Sequence, residues 1–337
     1  MLTVNIILKK IVIITDGNNT LGLGHIYQSI TLAHLLLKKT QGDVEILFFT
    51  KSKEKVLEML RSTGCTVEYF PDDDKIFDAL YHQKPQRIIF DKLDVSPELA
   101  RRIKENITAK LLIFTNLTDA NEYADVTLLA DIGSNFKNIF KRDETTGKVH
   151  IFGPKYWLLR PEFYDLKATA KIHKNEVKEI MLIFGGSDPS NISSFVLEEL
   201  LHIDSAFNIL LVLGSAFEHI DELNAVLNKH KSSKSKVDIV RNMTNVGETM
   251  HKSDVVFASP GLSFFEALAV GTPVVGFHQN QLQMEVYADI LPTMGIEDIH
   301  KLPSIIKNKL FLFPEDPVIA AMEIGEGKDE IIDVILN

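Results

Sequence analysis

The chain has 337 residues, of which 45% are apolar, and a formal net charge of −10 at pH 7. The negative balance argues against a nucleic-acid or anionic-membrane partner, because phosphate backbones select faces rich in Lys and Arg, but it leaves room for a small anionic ligand. The length suits two domains of ordinary size. The single cysteine, Cys65, excludes an internal disulfide and fits a reducing, cytoplasmic location. We expect no secretory signal and no transmembrane segment, since no window approaches the ~18 uninterrupted apolar residues of a membrane span.

The first half of the chain alternates short apolar strands with helices of 3.6-residue periodicity. The predicted strands are apolar almost throughout, which is typical of parallel strands covered on both faces. Strands are predicted at 11–15, 44–50, 65–70, 87–91, 110–115 and 125–130. Helices are predicted at 25–39, 53–63, 74–83 and 96–106.

The second half repeats this alternation after a connection that holds two prolines and a polar, Lys-rich stretch. Strands are predicted at 179–184, 207–213, 236–240, 254–258 and 273–277, and helices at 189–202, 217–231, 244–252, 262–269 and 281–290. We therefore predict an α/β chain with an N-terminal Rossmann-like domain (1–150), a linker (151–176) and a C-terminal Rossmann-like domain (177–337). Ligands of doubly wound sheets bind beyond the carboxyl ends of the strands, so the informative motifs should follow strands.

The turn "TLGLGH" (20–25) follows the first strand and opens the first helix. Its Gly22-X-Gly24 pattern lacks the third glycine of a nicotinamide-dinucleotide motif, where Tyr27 stands, so that function is disfavoured. His25 is expected in the first helical turn, where exposed amide groups and the helix dipole disfavour an imidazolium. We expect a neutral His25 at pH 7, as a general base requires. The alternative is that the glycines serve only strand-to-helix packing.

The segment "IFGGSDPSN" (183–191) is a second strand-to-helix turn. Its glycines would let a ligand approach the main chain, and the amide and hydroxyl groups that follow, at Gly186 and Ser187, could hold phosphate oxygens. Asp188 would oppose an anion, so we expect it to cap the helix or to order the loop. The alternative is an ordinary βα turn without a ligand.

A third turn, "SPGLSFFEAL" (259–268), follows the strand at 254–258. A helix that starts near Ser263 could hold a diphosphate at its N-terminus, and Glu266, one turn later, could accept hydrogen bonds from a ribose diol. The alternative for Glu266 is a favourable interaction with the helix dipole. The polar run "HQNQ" (278–281) after the next strand is a ligand loop or simply a polar loop.

No metal or cofactor site is predicted. The acidic run "DDD" (72–74) stands before a helix, where such residues usually form a solvated cap. The eleven histidines show no His-X-X-X-His pair and no Cys/His cluster along the sequence.

Taken together, these motifs and the connecting segment "GPKYWLLRPEF" (153–163) resemble those of the UDP-sugar hydrolase of pseudaminic acid biosynthesis and the related spore-coat polysaccharide (SpsG-like) proteins. More distantly, the sequence is similar to the peptidoglycan N-acetylglucosaminyltransferase. The resemblance spans roughly residues 10–295. It implies a GT-B fold, with two Rossmann-like doubly wound parallel-sheet domains facing a cleft. It also implies UDP-sugar binding without a metal, mostly through the C-terminal domain.

The resemblance also implies roles for individual residues. His25 matches the histidine that activates water, and Asp91 matches an aspartate retained after the fourth strand, which makes both candidate catalytic residues. The matched substrate-binding positions are Gly22 and Gly24 in the first turn, Gly186 and Ser187 by the phosphates, Met243 and Thr244 by the uracil, Ser263 by a phosphate, Glu266 by the ribose, and Asn280 and Gln281 by the sugar and phosphates.

This sequence departs from the family pattern at three places, all in the N-terminal domain, to which the resemblance assigns the acceptor side of the site. Gln28 stands where the family has an arginine, Leu93 replaces an active-site tyrosine, and "FTNLTD" (114–119) lacks paired aspartates. The nucleotide-sugar class is therefore better supported than the particular substrate.

Three functions remain. The first is hydrolysis of a UDP-activated amino or deoxy sugar, with release of UDP, in surface polysaccharide or nonulosonic acid biosynthesis. The second is glycosyl transfer to a saccharide or lipid-linked acceptor, which could involve peripheral membrane contact. The third is nucleotide-sugar binding without catalysis.

Overall fold

The computed structural model describes residues 9–17, 23–132, 137–167, 169, 171–214, 216–241, 243–287, 291 and 293–337. The chain divides into two compact units. The first contains the described residues of Met1–Asp131, Lys137–Pro161 and Gly325–Asn337, and the second contains those of Ile132–Phe136 and Glu162–Ile324.

The first unit is built on an eight-stranded sheet in the order β3-β2-β1-β4-β5-β6-β8-β7. Its strands are β1 (Lys9–Thr15), β2 (Val44–Thr50), β3 (Thr66–Tyr69), β4 (Arg87–Asp91), β5 (Lys110–Phe114), β6 (Val126–Leu129), β7 (Ile139–Arg142) and β8 (Val149–Phe152). All pairs are parallel except β7 with β8. The strand order reverses direction between β1 and β4, which makes the carboxyl ends of these two strands the switch point of the sheet.

Helices cover both faces of this sheet, since apolar residues of alternate strand positions belong to two separate cores. The helices are α1 (Gly24–Thr40), α2 (Lys55–Arg61), α3 (Asp73–Gln83), α4 (Pro97–Asn106) and, from the end of the chain, α13 (Lys328–Leu336). In β1, Ile11 and Ile13 belong to one core and Val12 and Ile14 to the other. Such burial on both faces explains why the strands are apolar throughout.

The second unit is built on a six-stranded, fully parallel sheet in the order β11-β10-β9-β12-β13-β14. Its strands are β9 (Glu179–Ile183), β10 (Asn208–Leu213), β11 (Lys236–Arg241), β12 (Val255–Ala258), β13 (Val274–Phe277) and β14 (Thr293–Met294). The helices from Pro161 to Ala320 are α5 (Pro161–Lys167), α6 (Ile192–His202), α7 (Ile220–Lys229), α8 (Val246–Lys252), α9 (Leu262–Ala269), α10 (Gln281–Tyr287), α11 (Leu302–Asn308) and α12 (Pro317–Ala320). Here the switch point lies between β9 and β12.

The unit boundaries differ from those predicted from the sequence. Residues 151–161 belong to the first unit rather than to a linker, and residues 325–337 belong to the first unit rather than to the C-terminal domain. The reason is the apolar face of α13, where Ile331, Ile332 and Ile335 are buried in a core of the first unit.

Basic side chains fix the end of α13. Arg87 Nε donates to the carbonyl oxygen of Ile335 (2.6 Å), Lys110 Nζ donates to that of Val334 (2.8 Å), and Lys9 Nζ donates to that of Leu336. These carbonyl groups have no partner within the helix, and cations at a helix C-terminus also interact favourably with its dipole. The three cations are the first residues of β4, β5 and β1, so α13 ends below the amino edge of the sheet.

Within the described part of the chain, no helix is both long and apolar enough to cross a bilayer.

Candidate functional site

The switch point of the first sheet brings together the two predicted catalytic residues. His25 is the second residue of α1, which follows β1, and Asp91 is the last residue of β4. The His25 Nδ1 atom lies 2.9 Å from Asp91 Oδ1. The His25 side chain is 14% exposed and that of Asp91 is 0% exposed. A carboxylate offers only acceptors, so Nδ1 carries the hydrogen of this bond and Nε2 keeps its lone pair when the ring is neutral.

Two further residues of α1 hold the Asp91 carboxylate in place. Ser29 Oγ donates to Asp91 Oδ2 (3.0 Å), and Gln28 Nε2 donates to Oδ1 (3.3 Å) and to Thr115 Oγ1 (3.5 Å). Positions 25, 28 and 29 share one helix face because they are separated by three and four residues. Gln28, which replaces the arginine of the resembled family, is therefore part of the same hydrogen-bond network.

The Asp91 carboxylate makes His25 more basic than its place at a helix start alone predicts. Burial lowers the pKa of His25, but the hydrogen bond and the charge of Asp91, with a smaller contribution from Asp94, outweigh it and raise the pKa above 6.5. The attraction between the Asp91 carboxylate and the imidazolium exceeds the repulsion from the partial positive charge at the helix start. His25 is thus a stronger base than a free histidine.

A buried ion pair lies beside this dyad and was not predicted. Lys92 Nζ, just after β4, is 2.7 Å from Asp16 Oδ2, just after β1, and both side chains are at least nine-tenths buried. Asp16 Oδ1 also accepts from Lys51 N (2.6 Å) and Thr50 Oγ1 (3.1 Å). Burial raises the pKa of Asp16, but Lys92 and the Lys51 amide lower it by more. The pair therefore joins the turns that follow β1, β2 and β4.

The predicted glycine positions of the first turn are only partly described. Gly22 lies outside the described residues. Gly24 is exposed at the start of α1, and a Cβ atom placed there would have no neighbour within 4 Å. Space beside the main chain is therefore open at Gly24.

The second unit has a tightly held glycine turn after β9. Gly185 adopts a φ of 87°, and a Cβ atom at Gly214 would collide with the main chain of Gly186. Ala216 N donates to Gly186 O (3.0 Å). Gly186 itself is exposed, and a Cβ atom there would meet nothing within 4 Å. The turn thus presents an open backbone surface at Gly186, with the half-buried Ser187 next to it.

Asp188 orders this turn, as its place in the sequence suggested. Its buried carboxylate accepts from Ile192 N (3.0 Å) and Ser193 N (2.8 Å), the first two amide groups of α6. It satisfies two of the N–H groups that a helix start leaves without partners. Its φ of 46° is a left-handed conformation that aspartate tolerates better than most residues.

Gln279 connects three of the turns at this edge and was not predicted. Its Nε2 donates to Asp188 Oδ1 (3.0 Å), Phe184 O (3.1 Å) and Ser259 Oγ (3.0 Å), so it bonds the turns after β9 and β12 to its own turn after β13. Gln283 Nε2 adds a bond to Pro260 O (3.1 Å). A glutamine in a polar loop gives no sequence signal for such a role.

The remaining predicted residues lie at the carboxyl edge of the same sheet. Ser263 is half-buried in the first turn of α9, and Glu266, one turn later, is 0% exposed. Met243 (half-buried) and Thr244 (exposed) lie between β11 and α8.

Asn280 and Gln281 are exposed at the start of α10. Asn280 Oδ1 accepts from Gln283 N (2.9 Å), and Gln281 Nε2 donates to Glu285 Oε1 (2.9 Å). Both side chains therefore make bonds within their own helix start.

Among the described residues, one group of histidines and acids has the spacing of a metal site: Glu198, His202 and His230. It lies toward the ends of α6 and α7, away from the carboxyl edge at which these turns meet.

Solved structures with the same architecture define the fold class. MurG of Acinetobacter baumannii superposes with a TM-score of 0.65 and 12% identity, covering 97% of this chain and 99% of that chain. The UDP-GlcNAc 2-epimerase of Methanocaldococcus jannaschii, solved in complex with UDP-GlcNAc and UDP, gives a TM-score of 0.59 and 14% identity, with coverages of 97% and 99%. The chain has the α/β GT-B fold, which confirms the fold class predicted from the sequence.

Two curated proteins are similar in sequence. The uncharacterized protein MJ1062 of M. jannaschii is 40% identical over 331 residues, which cover 97% of this chain and 66% of that protein. The chain thus spans 66% of the length of this relative. The spore coat polysaccharide biosynthesis protein SpsG of Bacillus subtilis is 24% identical over 278 residues, which cover 80% of this chain and 78% of that protein. No protein-family model matches the chain.

Proposed function

We propose that this chain is an enzyme that hydrolyses a UDP-activated amino or deoxy sugar without a metal ion and releases UDP, in surface polysaccharide or nonulosonic acid biosynthesis. The observation that carries the proposal is the hydrogen bond between His25 and Asp91 at the switch point of the first sheet. This pair is a histidine base with an orienting carboxylate, the arrangement that activates a weak nucleophile in many hydrolases.

In the proposed reaction, His25 Nε2 removes a proton from water. The water oxygen bonds to the anomeric carbon as the bond from that carbon to the diphosphate breaks, and the electron pair leaves with UDP. Asp91 holds the ring by Nδ1 and stabilises the imidazolium that forms. The proton then leaves His25 for solvent, which restores the base.

We assign nucleotide binding to the second unit. The open backbone at Gly186, with Ser187, would receive phosphate oxygens, and Ser263 would receive another at the start of α9. Glu266 would bind the ribose diol. Met243 and Thr244 would lie beside the uracil, and Asn280 and Gln281 beside the sugar and phosphates. The SpsG relative, named for polysaccharide biosynthesis, and the UDP-bound epimerase of the same fold support this class of ligand.

Glycosyl transfer is the second candidate, and one observation favours it. Leu117, which follows β5, is 73% exposed, and Tyr27, in the first turns of α1, is 41% exposed. Exposed apolar and aromatic side chains at a functional edge suit contacts with a saccharide ring or a lipid-linked acceptor. In that case His25 would take its proton from an acceptor hydroxyl rather than from water.

Phosphorus NMR of the protein with a panel of nucleotide sugars tests the proposal. The wild-type chain in EDTA should release UDP without an acceptor, and His25→Ala should lower the rate by about 10²–10⁴-fold, the usual contribution of a general base. His34→Ala is the matched control, because His34 is an exposed histidine on the same helix.

Three outcomes would contradict the hydrolase proposal. Binding without release until an acceptor is added would identify a transferase. Binding without turnover under any condition would identify a non-catalytic binding protein. UDP release that His25→Ala leaves unchanged would remove His25 from the mechanism.

A further inference from the structure

We propose that Glu198, His202 and His230 form a binding site for one divalent transition-metal ion, separate from the site that the proposed function uses. One ligand atom from each of these residues lies within 4.8 Å of the other two. Imidazole nitrogens with one carboxylate oxygen are donors that suit Zn²⁺ and its first-row neighbours.

The two helices supply these ligands in a fixed way. Glu198 and His202 are four residues apart on α6, so their side chains share one helix face. His230 directly follows α7, and its ring packs edge-on against that of His202, with centroids 4.4 Å apart and an interplanar angle of 89°. His230 Nε2 is 3.8 Å from Glu198 Oε1. Small side-chain rotations would bring these atoms to the spacing that a shared ion requires.

The environment of His230 points to a missing partner. Its Nε2 atom is buried and has no hydrogen-bond partner in the structure. A buried polar atom without a partner is costly, and native proteins rarely keep one without a reason. A metal ion would use the Nε2 lone pair and remove this cost.

One cation already competes for the carboxylate. Lys229 Nζ lies 2.5 Å from Glu198 Oε1, and this lysine side chain is 60% exposed. A metal ion would displace the ammonium group into solvent, at small cost because the lysine is flexible and accessible. The competition predicts that removing the lysine charge strengthens metal binding.

The site would tie α6 to the end of α7. The three ligands lie toward the C-terminal ends of α6 and α7. The turns after β9 and β10, at the carboxyl edge of the sheet, precede the other ends of these helices. The ion would therefore stabilise the second unit by binding its folded state, and it would take no part in turnover.

Isothermal titration of the metal-stripped full chain with Zn²⁺ tests the proposal, with Co²⁺ absorption as a readout of tetrahedral ligation. The wild-type chain should bind one ion. His230→Gln and His202→Ala should each weaken binding by about 100-fold or more, because even outer-shell partners of metal sites contribute about 10–100-fold. Lys229→Met should tighten binding, and Zn²⁺ should raise the Tm of the wild-type chain.

His219→Ala is the matched control. His219 also lies beside a carboxylate, with its Nδ1 atom 4.0 Å from Glu222 Oε1, but it does not belong to the group of Glu198, His202 and His230. This variant should leave Zn²⁺ binding unchanged. His202 is half exposed, so its replacement should leave the fold intact and decide the question if the His230 variant does not fold. Wild-type failure to bind Zn²⁺, or binding that survives His202→Ala, would overturn the proposal.

Discussion

Replacement of Asp91 by asparagine is the sharpest test of the His25 pair. The substitution keeps the size of a fully buried side chain but removes its charge. It also removes one of the oxygens that now accept from Ser29, Gln28 and the His25 ring. Hydrogen bonds to a charged group contribute about 1.5–3 kcal/mol, so the free energy of unfolding should fall by roughly this amount.

The pKa of His25 should fall in this variant. Asp91 is the main cause that raises the pKa, while burial lowers it, so burial dominates once the charge is gone. Hydrolysis needs a neutral His25, so wild-type kcat/KM should rise with pH through a pKa above 6.5. In Asp91→Asn this acidic limb should move to lower pH, while the maximal rate falls by about 10²–10⁴-fold because the ring is no longer held in the productive orientation.

The pair also predicts how stability depends on pH. The folded-state pKa of His25 is raised, so its contribution is fully present below the unfolded value of 6.5 and is lost as pH rises through the folded value. Chemical denaturation at several pH values should show this loss in the wild-type chain and not in Asp91→Asn.

NMR titration of the His25 ring measures the pKa without a substrate. Asp94→Asn is the control, because Asp94 is exposed and acts on His25 only through charge, so its removal should change the pKa less. If the His25 pKa is the same in Asp91→Asn and wild type, the carboxylate does not set the basicity of the ring and the reasoning fails.

Five other substitutions test the turns and the predicted ribose contact. Gly214→Ala should lower the Tm because its Cβ would collide with the main chain of Gly186, whereas Gly186→Ala, with open space around it, should leave the Tm unchanged and weaken nucleotide-sugar binding by titration calorimetry. Equal Tm values for the two variants would contradict this. Lys92→Met should cost about 3–5 kcal/mol in urea unfolding because it leaves the buried Asp16 charge without its partner, and adding Asp16→Asn should recover part of the loss. An additive double variant would argue against the pair. Glu266→Gln should weaken binding of a UDP-sugar by about 1.5–3 kcal/mol; unchanged affinity would remove its ribose role.

The sequence was sufficient to predict eleven of the fourteen described strands, but not β7, β8 and β14, nor which residues lie side by side at the site. Buried parallel strands such as β1 and β4 are apolar on both faces, so their positions are evident from composition alone. The pairing of Asp16 with Lys92 depends on β1 lying next to β4, which the order of strands along the chain does not reveal. Gln279 was missed for a related reason, since its three partners belong to two other turns, those after β9 and β12.

Electrostatics were harder to predict than positions. His25 was placed correctly at the helix start, but its basicity depends on a carboxylate 66 residues away in sequence. The group of Glu198, His202 and His230 shows the same limit, because no local spacing connects α6 with the residue after α7.

The placement of α13 affects the order in which the protein can fold as it is synthesised. The core of the first unit includes Ile331, Ile332 and Ile335, yet about 160 residues of the second unit leave the ribosome before them. Synthesis adds roughly 5–20 residues per second, so one apolar face of the first sheet stays incompletely covered for about 10–30 s. The second unit is continuous from Glu162 to Ile324 and needs no later segment of the described chain. It can therefore complete its core first, so the order of folding would reverse the order of synthesis.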